Sequence, residues 1–175
     1  MMLIRPIAGS VLMMLLLGLI LCKTVLADAS KLQISSPAIS QGATIPIQFT
    51  CSGEDQSPPL NWTGIPSNAK SLVLIVEDPD APSGTFVHWV VYDIPPTSSG
   101  SASGAVAGQP GLNSTGKAAY MGPCPPPGNP HHYHFELFSL DMMLNLNAPP
   151  RVQTVRAAMQ GHIIQSVELV GIFGR

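Results

Sequence analysis

Ser71-Leu-Val-Leu-Ile-Val-Glu77 is the stretch on which the fold turns. Leu72 to Val76 are five apolar side chains in a row, three of them β-branched, which predicts a strand covered on both faces. Working outward, Phe86 to Ile94 and Tyr133 to Ser139 read as strands, and Gln165 to Phe173 as one of weaker periodicity. Upstream, Ile45-Pro-Ile-Gln-Phe-Thr-Cys51 places Ile45, Ile47, Phe49 and Cys51 on one face and predicts a half-buried strand. Pro46, lacking an amide donor, marks its start or a sheet edge. One helix is expected over Arg151 to Gln160, where Val152, Val155 and Met159 fall at helical spacing. Prolines precede it and Gly161 follows it, the usual asymmetry of helix ends. Pro95 to Gly116, rich in Ser, Gly and Ala, reads as a surface loop. The expectation is an all-β-dominated sandwich with one short helix near the C-terminus.

The first residues read as a targeting signal. Arg5 precedes an apolar run from Val11 to Leu21, and Val25-Leu26-Ala27 suits cleavage after Ala27. The run is short for a membrane span of roughly 20 residues. A lipid anchor on Cys22 is the rival reading, disfavoured by Leu21 before it. Cleavage divides the chain into a signal peptide, 1–27, and one domain, 28–175, and implies a periplasmic or secreted protein. Losing Arg5 and Lys23 leaves six basic against ten acidic side chains, a net charge of −4. That excludes a nucleic-acid partner, which needs a basic face, and gives no electrostatic pull toward anionic membranes. Only 10% of residues are charged, while 18 prolines spread through several loops. The pattern is one of short strands joined by stiff connections.

Polar chemistry gathers in a few places. Glu77-Asp78-Pro79-Asp80-Ala81-Pro82 follows the most apolar strand, and its prolines restrict how Asp78 and Asp80 can be presented. By itself the segment is equally an ordinary proline-rich turn. His88 lies in Phe86-Val-His-Trp-Val-Val-Tyr92, where alternation groups it with Phe86, Val90 and Tyr92. In His131-His-Tyr-His-Phe135, alternation puts His131, Tyr133 and Phe135 on one face, and His132 and His134 with Glu136 on the other. His132 and His134 have metal-ligand spacing, but no second ligand cluster accompanies them, so neither metal nor cofactor is expected. Gly122-Pro-Cys-Pro-Pro-Pro-Gly128 is a rigid lead into that strand.

Taken in order, Phe49-Thr-Cys-Ser-Gly-Glu54, Ser57-Pro-Pro-Leu-Asn-Trp62, Glu77-Asp-Pro-Asp-Ala-Pro82, Phe86-Val-His-Trp89, Gly122-Pro-Cys-Pro-Pro126, His131-His-Tyr133 and Gly161-His-Ile-Ile164 form a set. The set resembles the phosphatidylethanolamine-binding proteins, also called Raf-kinase-inhibitor-like proteins, in their bacterial branch. The resemblance covers nearly the whole chain after the leader. It implies a sandwich of two antiparallel sheets with one or two short helices near the C-terminus. It also implies an anion pocket on Asp78, His88, Pro126, His131 and Tyr133, with Asp80 shaping the rim and His132 turned away. The kinase-inhibitor role depends on particular partners and does not transfer to a chain with a leader.

Imidazole N–H groups and a tyrosine hydroxyl suit phosphate-like oxygens. Asp78 is placed to hold His88 or His131 as a donor, and its charge favours mono-anionic or zwitterionic ligands over a fully ionised phosphate. The expectation is therefore a binding protein for a phosphate-like or phospholipid-headgroup molecule, compatible with regulating or inhibiting another protein. A homodimer is left open. The rival is a hydrolase with His88 or His131 as general base. No Gly-x-Ser-x-Gly elbow occurs, since Gly100-Ser-Ala-Ser-Gly104 carries Ala at the nucleophile position. Cys51 and Cys124, the cysteines left after cleavage, are a candidate disulfide in an oxidising compartment.

Overall fold

The apolar run lies at the centre of the larger of two sheets in the computed structural model, which describes residues 31–147 and 149–175. The leader and the cleavage position after Ala27 lie outside the described residues. In chain order the elements are β1 (Gln33–Ser35), β2 (Ala43–Thr44), β3 (Leu60–Thr63), β4 (Ser71–Asp78), β5 (Phe86–Ile94), β6 (Gly100–Ser101), β7 (Gln109–Pro110), β8 (His131–Leu140), α1 (Val152–Met159) and β9 (Ile163–Phe173). The large sheet runs β2-β9-β8-β4-β5-β7 and the small one β1-β3-β6. All pairings are antiparallel except the short β2–β9 contact, which is parallel. The sandwich reading holds, with that edge pair as its one departure.

The uninterrupted hydrophobicity of β4 has a direct cause. Leu72, Leu74 and Val76 point into the layer shared with the small sheet, where they meet Leu60, Trp62, Tyr133, Phe135 and Leu137. Val73 and Ile75 point the other way and pack with Phe138, Leu140 and the Val152, Val155 and Met159 stripe of α1. A strand buried on both faces has no polar side to alternate with. Among the described residues no helix is long and apolar enough to cross a membrane.

The strand expected over Ile45 to Cys51 is instead a 3-10 turn at Ile47–Phe49. Ile45 and Phe49 are buried, but Ile47 is 61% exposed. Ile45 and Phe49 are four apart, so they share a face of a helical turn as readily as of a strand; the side chain between them decides. Pro46 caps the turn, its carbonyl accepts from the Phe49 amide, and the Ile47 carbonyl accepts from both the amide and the hydroxyl of Thr50. The turn brings Ile47 so close to Gly53 that a Cβ there would sit 2.2 Å from the Ile47 oxygen.

Within the expected loop, β6 and β7 are two-residue pairings onto β3 and β5. The connection between them, from Ala102 to Gly108, has no buried residue.

Candidate functional site

The polar residues gather where the central layer of the sandwich runs out. Asp78 ends β4 on the face that carries Leu72, Leu74 and Val76, so it continues the core stripe as a carboxylate. On β8 the residues facing the same layer are His131, Tyr133, Phe135 and Leu137, polar at the strand's start and apolar beyond. Neighbouring β4 ends and β8 starts at this edge, which brings Asp78 against His131. The separation by alternation holds: His131 and Tyr133 are buried, while His132 and His134 face outward and pair with Asp80 and Glu168.

His88 arrives by a different route. Along β4 and β5, Val76 lies opposite Trp89 but Glu77 lies opposite Val87, so β5 holds one extra residue at His88. Such a bulge puts two successive side chains on one side of the sheet. The grouping of His88 with Val90 and Tyr92 is thereby corrected. Val90 and Tyr92 face α1, whereas Trp89 and Val91 face the central layer. His88 stays with Phe86 at the polar end, 4.8 Å from it between ring centroids and 5.2 Å from Tyr133.

Between these elements lies a cavity of about 160 Å3, lined by Asp78, Ala81, Pro82, Phe86, His88, Met121, Cys124, Pro125, Pro126 and His131. Asp78, His88, Pro126 and His131 thus line one cavity. Tyr133 does not line the wall. It lies fully buried beside the two histidines, its ring 6.5 Å from that of His131. Asp80 faces a separate groove that shares Pro126 and His131 with the cavity. There it accepts from the amide and the Nδ1 of His132, bonds that hold its carboxyl below the usual range. Phe86 and Met121 line the wall without having been singled out in the sequence; a phenylalanine in a strand and a methionine in a loop carry no chemical signal.

Asp78 and the two histidines each have a defined holder. His131 Nδ1 donates to Asp78 Oδ2 at 2.7 Å, and the Asp80 amide donates to Asp78 Oδ1 at 2.9 Å. Of the two histidines open to Asp78, the carboxylate takes His131. His88 is clamped by Met121: its Nδ1 lies 2.7 Å from the Met121 carbonyl, and the Met121 amide donates to the His88 carbonyl. A carbonyl can only accept, so Nδ1 carries the hydrogen. That leaves His88 Nε2 and the Tyr133 hydroxyl, both buried and without a hydrogen-bond partner among the described residues. Burial also pushes the Tyr133 phenol well above its ordinary range, with Asp78 and Asp80 adding to the effect, so the hydroxyl keeps its proton.

Burial is likewise the main influence on His88 and lowers its pKa, against the opposing pull of the Met121 carbonyl and of Asp78 and Asp55. The unfolded chain then takes up a proton at higher pH than the folded one. His88 therefore favours the folded state above the unfolded value of about 6.5, and that contribution is lost as the pH falls below it. The thermal midpoint is expected to drop between pH 7 and pH 5, less steeply in His88→Gln. Equal slopes in the two proteins would remove His88 as the source.

The wall opposite the histidines is the proline loop. Cys124 is joined to Cys51 by a disulfide, with Cα atoms 5.4 Å apart. The Cys51 amide donates to the Pro123 carbonyl and Arg175 Nε to the Pro125 carbonyl. Gly122, one residue earlier, donates its amide to Asp55 Oδ1.

The family model of the phosphatidylethanolamine-binding protein matches residues 35–174. A UPF0098 protein of Methanothermobacter thermautotrophicus is 41% identical over 151 residues, which cover 82% of this chain and 99% of that one. LppC of Mycobacterium tuberculosis, provisionally named a lipoprotein, is 45% identical over 133 residues, 74% of this chain and 65% of that one. The crystal structure of a phosphatidylethanolamine-binding protein homologue from Chlamydia trachomatis has a TM-score of 0.80 at 40% identity, covering 83% of this chain and 99% of that one. Motif order, bilayered fold and nearly full-length similarity agree: the chain belongs to the phosphatidylethanolamine-binding protein family.

Proposed function

We propose that this is an exported binding protein whose cavity takes a small phosphate-like anion, free or as part of a headgroup. The observation that carries the reading is the pair of buried polar atoms, His88 Nε2 and the Tyr133 hydroxyl, left without partners beside a cavity of headgroup size. Orphaned buried groups cost about 1–3 kcal/mol each, and a ligand that meets them recovers that cost. The Tyr133 hydroxyl supplies a donor for an anionic oxygen. Net affinity for a bare anion should fall between roughly millimolar and micromolar, since a few such bonds must offset the cost of association. Export is supported by the leader pattern, by the disulfide and by the provisional lipoprotein name of the mycobacterial relative.

Binding is favoured over hydrolysis through a side-chain nucleophile because, among the described residues, the cavity wall carries no serine or threonine, and its cysteine is tied in the disulfide. The test is a phosphate titration followed through the histidine NMR signals. His88 and His131 should shift together; signals unmoved at several tens of millimolar would end the proposal. Tyr133→Phe gives a second check with opposite signs. Removing the orphaned hydroxyl should stabilise the free protein by about 1 kcal/mol. The same change should weaken phosphate binding by about tenfold. Unchanged phosphate affinity would take Tyr133 out of the site.

A further inference from the structure

The groups around the cavity are unequal in what they offer a ligand. His88 Nδ1–H is spent on the Met121 carbonyl at 2.7 Å, and its other nitrogen, Nε2, is buried. The groups facing this ring are Asp78 from β4, His131 and Tyr133 from β8, and Asp55 from the segment before β3. Burial disfavours the charged ring, against the opposing pull of the Met121 carbonyl and of the two carboxylates. A neutral imidazole with its hydrogen on Nδ1 has only a lone pair at Nε2. His131 Nδ1–H is likewise spent, on the Asp78 carboxylate, whereas the Tyr133 hydroxyl both donates and accepts. Toward His88 the cavity therefore asks for a donor, while the Tyr133 hydroxyl is free to donate to an acceptor.

We propose that the cavity selects oxyanions that still carry one acidic hydroxyl, which donates to His88 Nε2 while a charged oxygen accepts from the Tyr133 hydroxyl. The inference rests on the anion reading above and adds which anions are taken. A singly protonated phosphate, phosphomonoester or phosphonate bears both features on one centre. A phosphodiester, the linkage inside an intact phospholipid headgroup, has no such hydroxyl and sets an oxygen lone pair against that of Nε2. The second proton of a phosphomonoester, lost near pH 6, thus becomes a recognition element. The chemical class is the small monoester or phosphonate monoanion, and the diester is disfavoured at the same charge.

Methylphosphonate and dimethylphosphinate form the matched pair that tests this. At pH 6 both are tetrahedral monoanions, and they differ by a hydroxyl against a methyl group. Methylphosphonate should bind at least about tenfold more tightly by calorimetry, the ratio set by leaving one buried acceptor unmet. Binding should then fade with rising pH at a midpoint that follows the ligand: lower for methyl phosphate, whose second ionisation is near 6, and higher for methylphosphonate. Titration of a protein histidine would give both ligands one midpoint. Nitrogen-15 spectra should show His88 neutral with its hydrogen on Nδ1 at pH 6. Equal affinity for the matched pair, a shared midpoint, or an imidazolium at His88 would overturn the selection while leaving the anion site standing. Failure of all these ligands to bind would overturn both.

Discussion

Asp78→Ala is expected to lower the unfolding free energy by about 3 kcal/mol, because it strips acceptors from two donors at once. The carboxylate receives His131 Nδ1–H at 2.7 Å and the Asp80 amide at 2.9 Å, and it is only 3% exposed. Water has little access to replace it, so the imidazole N–H at least is left buried and unmet. Asp78→Asn keeps one carbonyl oxygen and should cost less, about 1 kcal/mol. Urea denaturation at pH 7 measures both, and the order matters as much as the size. An alanine variant within about 0.5 kcal/mol of the parent, the range of ordinary surface changes, would mean that Asp78 does not hold this end of the sandwich together.

Replacing both cysteines, Cys51→Ala with Cys124→Ala, should have an effect of the same order. The bond spans 73 residues of chain, including β3, β4 and β5. Cross-linking a loop of that length restricts the unfolded chain by about 4 kcal/mol in the chain-entropy account. A loss of that size lowers the thermal midpoint of a domain this large by about 10 °C. A second consequence is local. Cys124 lines the cavity beside Pro125 and Pro126, so the variant should also bind phosphate more weakly when measured well below its melting point. Unchanged stability would show that the remaining ties, from Asp55 and Arg175, fix the loop alone. Reduction of the parent protein with a thiol should reproduce the double variant.

The parts of the fold that could be read in advance are those where a long strand meets one or two apolar layers. Leu72 to Val76 declared a doubly covered strand because no polar residue interrupts them, and both layers are there. The alternation through His131 and Tyr133 worked because β8 pairs without a shift from His131 to Ser139. At His88 the same rule failed, since the bulge that re-aims the ring depends on how β5 meets β4 and leaves no mark in β5 itself. Ile45 and Phe49 misled because a spacing of four fits both a turn and a strand. β1, β3, β6 and β7 are two to four residues long, too short for any period to show. At the site, the family resemblance implied Asp78, His88 and His131, but neither it nor the residue types said which histidine the carboxylate holds. The holder of the other is the Met121 carbonyl, and a backbone oxygen is a feature every residue shares.

The proline wall also sets how the cavity can be observed. Between Pro123 and Pro130 the chain has five prolines, so only Cys124, Gly128 and Asn129 carry amide hydrogens. Hydrogen exchange and amide-detected spectra, which follow exactly such protons, therefore have little to report from that side of the site. Any occupant will register through the histidine rings and the β4 and β5 backbone, while the loop pressed against it stays dark. A quiet loop in those experiments is a property of its composition, and carbon-detected spectra of the proline rings are the way to watch it.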